Sequence, residues 1–344
     1  MGILIGLVCV TPLVLGYLVF IRWTSRLDPE PWLPMITAFL WGAVIATAGG
    51  GFATAGAEAL VANVTSPLVL ELLGAVVFAP IFEELAKALG VYAIAALKRQ
   101  GRHAHDSLRG RAFGGPLDGP LEGALYGGVV GLGFTLTEDI LYISGQYRAS
   151  GLGGAFWLFF LRTVVLGFSH CTFTACTGLG LGIARDAHGP AAKLLAPMLG
   201  LFCAIAMHAM HNFLPHFGDA GAGLMVVISW VIDVLFFALL GGLVVRERGV
   251  LVRELVSEVG AALLAPELRQ ITRYFGALPR DPARRDKRRQ LIELAFVKRR
   301  RRRDPNNGAL ATREGELRAM LDAARQRGVR IDAPPGSFSA TTRG

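Results

Sequence analysis

The sequence is dominated by seven long apolar segments, each at or above the roughly 20 residues that an α-helix needs to cross a bilayer. They cover residues 2–21, 32–62, 67–97, 120–143, 155–184, 193–214 and 222–245. Inside a bilayer, backbone N–H and C=O groups have no water to pair with, and a helix pairs them within its own segment. The sequence therefore predicts an all-α fold, a polytopic membrane bundle of about seven transmembrane helices.

Charged residues divide the chain into two parts. Residues 1–245 contain every long apolar segment, whereas residues 246–344 contain none and include a basic stretch from Arg284 to Arg303. We therefore predict a transmembrane domain at 1–245 and a soluble basic tail at 246–344. The tail should be partly helical, near Glu314 to Arg325, and disordered at its Pro/Ser/Gly/Thr-rich end.

The loops between the segments differ in charge. Lys and Arg residues follow the first, third, fifth and seventh segments, whereas Arg148 is the only Lys or Arg in the loops 63–66, 144–154 and 215–221. Because basic loops stay on the cytoplasmic side, this pattern predicts an N-out, C-in orientation.

The net charge of +9 raises the question of an anionic partner. Most of the basic residues lie in loops and in the tail, beside apolar segments. Anionic lipid headgroups are therefore the expected partner, and no nucleic acid is expected.

Ionisable residues inside the apolar segments are the strongest functional signal, because an isolated charge at the bilayer centre costs at least about 2.5 kcal/mol. Glu83 and Glu84 are adjacent in the third segment, and Lys87 follows at i+4 and i+3. One acid would suffice for an ion pair that only packs helices. The second acid indicates a function.

Three further segments carry polar side chains at helical spacing. The fourth ends with Glu138 and Asp139, the fifth carries Arg162 and places Thr174 four residues after His170, and the sixth places Asn212 four residues after His208. The candidate catalytic residues are Glu83, Glu84, Glu138, His170, His208 and Asn212, with Lys87, Asp139 and Thr174 in support.

These residues form motifs in a defined order: EExxK at 83–87, FxxxE at 134–138, His170, and HxxxN at 208–212. Together they resemble the PrsW-type intramembrane proteases, relatives of the CAAX-processing and bacteriocin-processing membrane proteases. The resemblance implies a multi-pass protease of the bacterial cytoplasmic (inner) membrane that cuts single-span regulatory proteins such as anti-sigma factors. This chain departs from the family at Asp139, where the family usually has Asn.

Two hydrolytic mechanisms are consistent with these residues. Glu84 or Glu83 could polarise a water together with His208, while Asn212 or a second His stabilises the developing charge. Alternatively a metal could assist, and zinc would suit a ligand set drawn from Glu84, Glu138, His170 and His208. The sequence leaves the choice open.

Two other classes of function would also explain intramembrane acids and histidines: a proton or ion pathway, and a non-enzymatic membrane scaffold with a lipid-binding tail. The arrangement in space separates them. A protease needs the acids and histidines in one pocket, a relay needs a chain of them across the membrane, and a scaffold needs neither.

Overall fold

The computed structural model describes residues 1–24, 30–101, 119–187, 189–256, 281–303, 305–306 and 308–329. Over these ranges the chain is helical and contains no β-strand, so the prediction of an all-α protein is confirmed. The predicted disorder at the end of the tail concerns residues after 329, which lie outside the described ranges.

The described ranges consist almost entirely of helices. The α-helices are α1 (Gly2–Thr24), α2 (Trp32–Leu40), α3 (Thr47–Val61), α4 (Pro67–Leu72), α5 (Ala79–Gly101), α6 (Pro120–Phe159), α7 (Ser169–Asp186), α8 (Pro190–Phe213), α9 (Gly218–Val256), α10 (Pro282–Arg303) and α11 (Gly308–Gln326). The π-helical segments are π1 (Trp41–Ala46), π2 (Leu73–Phe78) and π3 (Phe160–Val165).

Four continuous stretches of the described chain have the length and hydropathy to cross a membrane. They are Gly2–Thr24, Trp32–Val61, Pro120–Asp186 and Pro190–Val256. The predicted segment 67–97 is not among them, because it carries four charged residues, Glu71, Glu83, Glu84 and Lys87, that lower its hydropathy.

Both 67-residue stretches are interrupted. An unbroken helix of that length would measure about 100 Å, more than twice the roughly 40 to 45 Å of a whole bilayer. In the first stretch, Ser150 and Gly151 leave the helical region, and Leu166 leaves it again before α7. In the second, Gly218 has a φ of 71°, which favours glycine, at the start of α9.

Contacts between glycines and backbone set the distance between α6 and α7. A Cβ atom on Gly123 would collide with the carbonyl of Gly178, one on Gly127 with that of Thr174, and one on Gly131 with that of His170. Without these side chains the two helices pack with their backbones in contact, as is common in membrane bundles. This packing fixes the position of His170 relative to α6.

The chain divides into two compact units, one formed by Met1–Ser25 with Glu30–Gly241 and one that includes Gly242–Gly344. In the second unit, the end of α9, α10 and α11 share an apolar core that includes Leu251, Leu294 and Leu317. Partial burial alone would raise the pKa of Glu314, but hydrogen bonds from Arg301 and Arg318 hold that pKa below its ordinary value. The basic stretch lies in α10, and the predicted helical segment near Glu314 lies in α11.

Candidate active site

Glu84 is the most completely enclosed acid among the described residues of the first unit. Its side chain is fully buried, and its carboxylate accepts hydrogen bonds from Lys87 Nζ at 2.8 Å and from Thr174 Oγ1 at 3.0 Å. His208 Nδ1 lies 3.1 Å from the same Oε1 that Lys87 contacts. Glu84 therefore joins α5, α7 and α8 through a single side chain.

Glu83 points into the same cluster but is held less tightly. Its Oε2 lies 3.7 Å from His208 Nε2 and 3.9 Å from Lys87 Nζ, and it makes no hydrogen bond although the atom is buried. The side chain keeps 13% of its surface exposed, against 0% for Glu84. A buried carboxylate oxygen without a donor is costly, so its presence calls for an explanation.

His170 contacts charged groups through both ring nitrogens. Its Nε2 lies 2.8 Å from Glu138 Oε2, and its Nδ1 lies 3.4 Å from Lys87 Nζ. The ring packs edge-on against His208, with centroids 4.9 Å apart. The structure thus brings together Glu83, Glu84, Glu138, His170 and His208, the five side chains whose convergence separates a hydrolytic site from a scaffold.

Phe134, the first residue of the FxxxE motif, covers one side of Lys87. The centroid of its ring lies 3.5 Å from Lys87 Nζ. An aromatic face stabilises an ammonium group that is removed from water. Lys87 is fully buried and therefore stays beside the two acids.

Behind His170, Glu138 and Asp139 contact a cation for which the sequence predicted no role. Arg162 of π3 contacts Glu138 Oε2 at 2.5 Å and Asp139 Oδ1 at 2.8 Å, and Thr163 Oγ1 donates to Asp139 Oδ2 at 2.8 Å. An Arg inside an apolar segment must find an acidic partner. The position of Arg162 inside an apolar segment was therefore the sequence feature that could have marked it as functional. It does not identify the acid that Arg162 contacts.

Asn212 lies outside the cluster. Its Nδ2 donates to the backbone carbonyl of Ala75 in π2, at 2.9 Å. Thr174, by contrast, contacts Glu84 directly. The contact of Asn212 therefore favours a role in holding the segment before α5, and it does not support a direct role at the reacting atoms.

In each π-helical segment, as in π2, a side chain from another part of the chain donates a hydrogen bond to a backbone carbonyl. Thr137 donates to Ala43 O in π1, and Tyr17 and Trp230 donate to carbonyls of π3, at Thr163 and Val165. A π-helical turn disturbs the regular hydrogen bonding of the backbone, and such turns are frequent at functional sites. Here side chains from other parts of the chain bond these carbonyls and anchor the segments that adjoin the cluster.

Three residues of the cluster could hold a metal ion. One ligand atom each of Glu84, His170 and His208 lies within 4.8 Å of the other two. Two histidines and a carboxylate with an open fourth position are a common catalytic zinc set. Glu138, which the sequence also suggested as a ligand, is not part of this set and contacts His170 on the Nε2 side.

The charges of the cluster also fit a divalent cation. Among the described residues, the four carboxylates of Glu83, Glu84, Glu138 and Asp139 face two cations, Lys87 and Arg162. Two formal negative charges are left over, and uncompensated charge is expensive inside a membrane. Over the described ranges, the fold and this cluster define an all-helical protein with helices apolar enough to cross a membrane and a buried group of Glu and His side chains that could hold a metal ion.

Comparison with known proteins gives the particular family. Residues 30–240, more than half of the chain, match the model of the PrsW family of intramembrane metalloproteases. The chain belongs to this family, and it is an integral membrane protease, a hydrolase. No curated protein and no solved structure matches it.

Proposed function

We propose that the protein is an endopeptidase that hydrolyses single-span regulatory proteins of the bacterial inner membrane, of the kind represented by anti-sigma factors. The observation that carries this proposal is the convergence of Glu83, Glu84, His170 and His208 within hydrogen-bond or near-contact distance. A compact cluster of acids and histidines favours hydrolysis over a proton pathway, which needs a chain of such groups across the membrane.

Within the cluster, Glu83 is the proposed general base. A base must have a lone pair that is available to a water, and Glu83 Oε2 is buried without a hydrogen-bond donor. Glu84 is a poorer base, because Lys87, Thr174 and His208 already contact its two oxygens. Glu84, His170 and His208 are the proposed ligands of a zinc-class ion, which when bound would lower the pKa of a water and polarise the scissile carbonyl.

Lys87 and Asn212 then support the reaction in different ways. The ammonium group of Lys87 lies between Glu84 and His170 and can donate to negative charge that develops on the substrate. Asn212 holds π2, the segment that leads directly into the helix carrying Glu83 and Glu84.

The proposed topology has seven crossings, with the N-terminus outside and the C-terminus inside. The break at Ser150 and Gly151 falls in the loop 144–154, which is poor in basic residues, and supports a turn on the outer side. A 67-residue stretch with a turn at this position would cross the membrane twice. The acidic third segment would be accommodated because Glu84 and Lys87 are fully buried inside the bundle and Glu83 lies against Lys87.

The basic unit after the membrane domain is the proposed contact with anionic lipids. The domain boundary proposed from the sequence, 1–245 and 246–344, puts α10 in the cytoplasm, where the leaflet surface is negative. Arg285 and Arg289 of α10 are exposed and free to face headgroups. This role would tether the unit and does not involve the reaction.

The test of the protease function uses the full chain in proteoliposomes with a single-span anti-sigma-factor-type substrate. Glu84→Gln and His208→Ala should each abolish cleavage, seen by intact mass of the products, and should lose the stoichiometric metal that the wild type retains. Glu71→Gln and His216→Ala are matched controls, since both side chains belong to a separate, more exposed pair. Normal cleavage by both site variants would show that the proposed catalytic assignment is wrong.

A further inference from the structure

Arg162 occupies a position that the hydrolytic chemistry by itself does not require. Its guanidinium contacts two neighbouring carboxylates, through Nη2 to Glu138 at 2.5 Å and through Nε to Asp139 at 2.8 Å. The ring of Tyr142 lies against its other face, 4.1 Å from the guanidinium carbon. The planar fork of an arginine can hold two acids at once in fixed directions, which a lysine cannot do.

The oxygen of Glu138 that Arg162 contacts is also the oxygen nearest to His170. Glu138 Oε2 lies 2.5 Å from Arg162 Nη2 and 2.8 Å from His170 Nε2. A guanidinium so close stabilises the ionised carboxylate, and an ionised carboxylate can only accept hydrogen bonds. Nε2 of His170 must therefore carry the hydrogen and donate it to Glu138.

The contact of Nδ1, on the opposite edge of the His170 ring, independently selects the same tautomer. Nδ1 lies 3.4 Å from Lys87 Nζ, and a lysine ammonium has donors only. Nδ1 can face Lys87 favourably only with its lone pair. Both neighbours thus select one tautomer, hydrogen on Nε2 and lone pair on Nδ1, and this lone pair faces the side of the ring where Lys87 and Glu84 lie.

Asp139 and Thr163 explain why the guanidinium keeps its direction. Asp139 accepts from Arg162 Nε on one oxygen and from Thr163 Oγ1 on the other, so it is held from two sides. Tyr17 in turn donates to the backbone carbonyl of Thr163, at 2.9 Å. The side chain of Arg162 is therefore anchored at Nε and presents Nη2 to Glu138.

We propose that Arg162 is a positioning residue of the proteolytic site. By keeping Glu138 an acceptor, it fixes His170 in the Nε2–H tautomer, whose Nδ1 lone pair faces the cluster and lies against Lys87 Nζ. A divalent cation of the zinc class would bind this lone pair in place of the Lys87 ammonium, which would keep its contact with Glu84. This inference rests on the proposed function for its biological purpose. The tautomer itself is a property of the protein alone.

The first test measures the tautomer without metal or substrate. In full-length protein labelled with ¹⁵N-histidine, the ring nitrogens of His170, assigned by comparison with His170→Gln, should show a protonated Nε2 and an unprotonated Nδ1. In Arg162→Gln this pattern should change to a mixture of forms, whereas Arg148→Gln, which removes an exposed arginine of α6, should leave it unchanged. A wild-type signal with hydrogen on Nδ1 overturns the proposal, whatever the outcome of any cleavage assay.

The second test uses Co²⁺ as a spectroscopic probe of the same site. Groups that orient a histidine ligand typically contribute 10- to 100-fold to metal affinity, so Arg162→Gln should weaken Co²⁺ binding by about that factor and alter its visible absorption bands. If Arg162→Gln does not fold, the double variant Arg162→Gln/Asp139→Asn neutralises one of the two carboxylates that lose their cation, leaves Glu138 beside His170, and decides the question. A folded variant with the wild-type tautomer and Co²⁺ affinity overturns the proposal, because a merely structural arginine would give that result.

Discussion

Replacing Gly131 of α6 by alanine should disable the site through packing alone. A Cβ atom at this position would lie 2.7 Å from the carbonyl carbon of His170 and 2.8 Å from the Cα atom of Cys171. Ordinary contact begins near 3.4 Å, so α7 must move away by a large fraction of an ångström. Backbone atoms cannot rotate out of the way as the end of a side chain can, and overpacking of this kind costs about 1 to 3 kcal/mol.

The functional cost should exceed the loss of stability. His170 is carried by the backbone that must shift, and a misplacement of about 1 Å can lower a rate roughly 100-fold. We expect Gly131→Ala to lower the melting temperature in detergent and to reduce cleavage in proteoliposomes by about 10- to 100-fold. The same substitution should weaken metal binding, since one proposed ligand moves relative to the others.

Gly145→Ala is the matched control. It lies on the same helix and has no atom within 4 Å of its added Cβ. There the substitution should be neutral or stabilise the protein by up to about 1 kcal/mol, because alanine favours the helix. If the Gly131→Ala and Gly145→Ala proteins have the same melting temperature and the same cleavage rate, the contact of α6 with α7 does not position His170 and the reasoning is refuted.

Three further substitutions separate the roles of other residues. Glu83→Gln should lower cleavage by about 100- to 10,000-fold while bound metal, measured by elemental analysis, stays at the wild-type level; loss of metal instead would make Glu83 a ligand. Asn212→Ala removes the hydrogen bond to Ala75 O and should lower stability by about 1 kcal/mol in a denaturation assay, with a smaller loss of activity than Glu83→Gln; an equal loss would place Asn212 at the reacting atoms. Arg285→Gln/Arg289→Gln in a 246–344 fragment should weaken binding to anionic vesicles by up to roughly 30-fold and leave neutral vesicles unaffected, with the difference vanishing at high salt; equal binding to both vesicle types would remove the lipid role.

Local sequence was sufficient for the helical class of the fold and for the first contacts of the site. Apolar runs of this length form helices because the bilayer offers no other partner for the backbone. The salt bridge from Lys87 to Glu84 follows from i,i+3 spacing on one helix, and the structure has it at 2.8 Å. The family was also accessible from the sequence, because its motifs are separate short patterns whose order along the chain is informative.

Contacts between helices could not be predicted in the same way. An arginine inside an apolar segment needs a polar or acidic partner, but the sequence does not say which of several acids Arg162 contacts. Asn212 is one turn from His208, yet its side chain reaches Ala75 in π2. Spacing along one helix says which side chains share a face, and it leaves open which other helix that face meets.

What the sequence by itself determined is therefore the set of residues that need partners in the membrane, since the cost of an isolated charge does not depend on the arrangement of helices. The tertiary structure alone decided the pairs. Glycine contacts, such as that of Gly131 with His170, set how closely the helices approach and how each is rotated about its axis. That rotation brings His170 between Glu138 and Lys87, where its two neighbours determine which ring nitrogen carries the hydrogen.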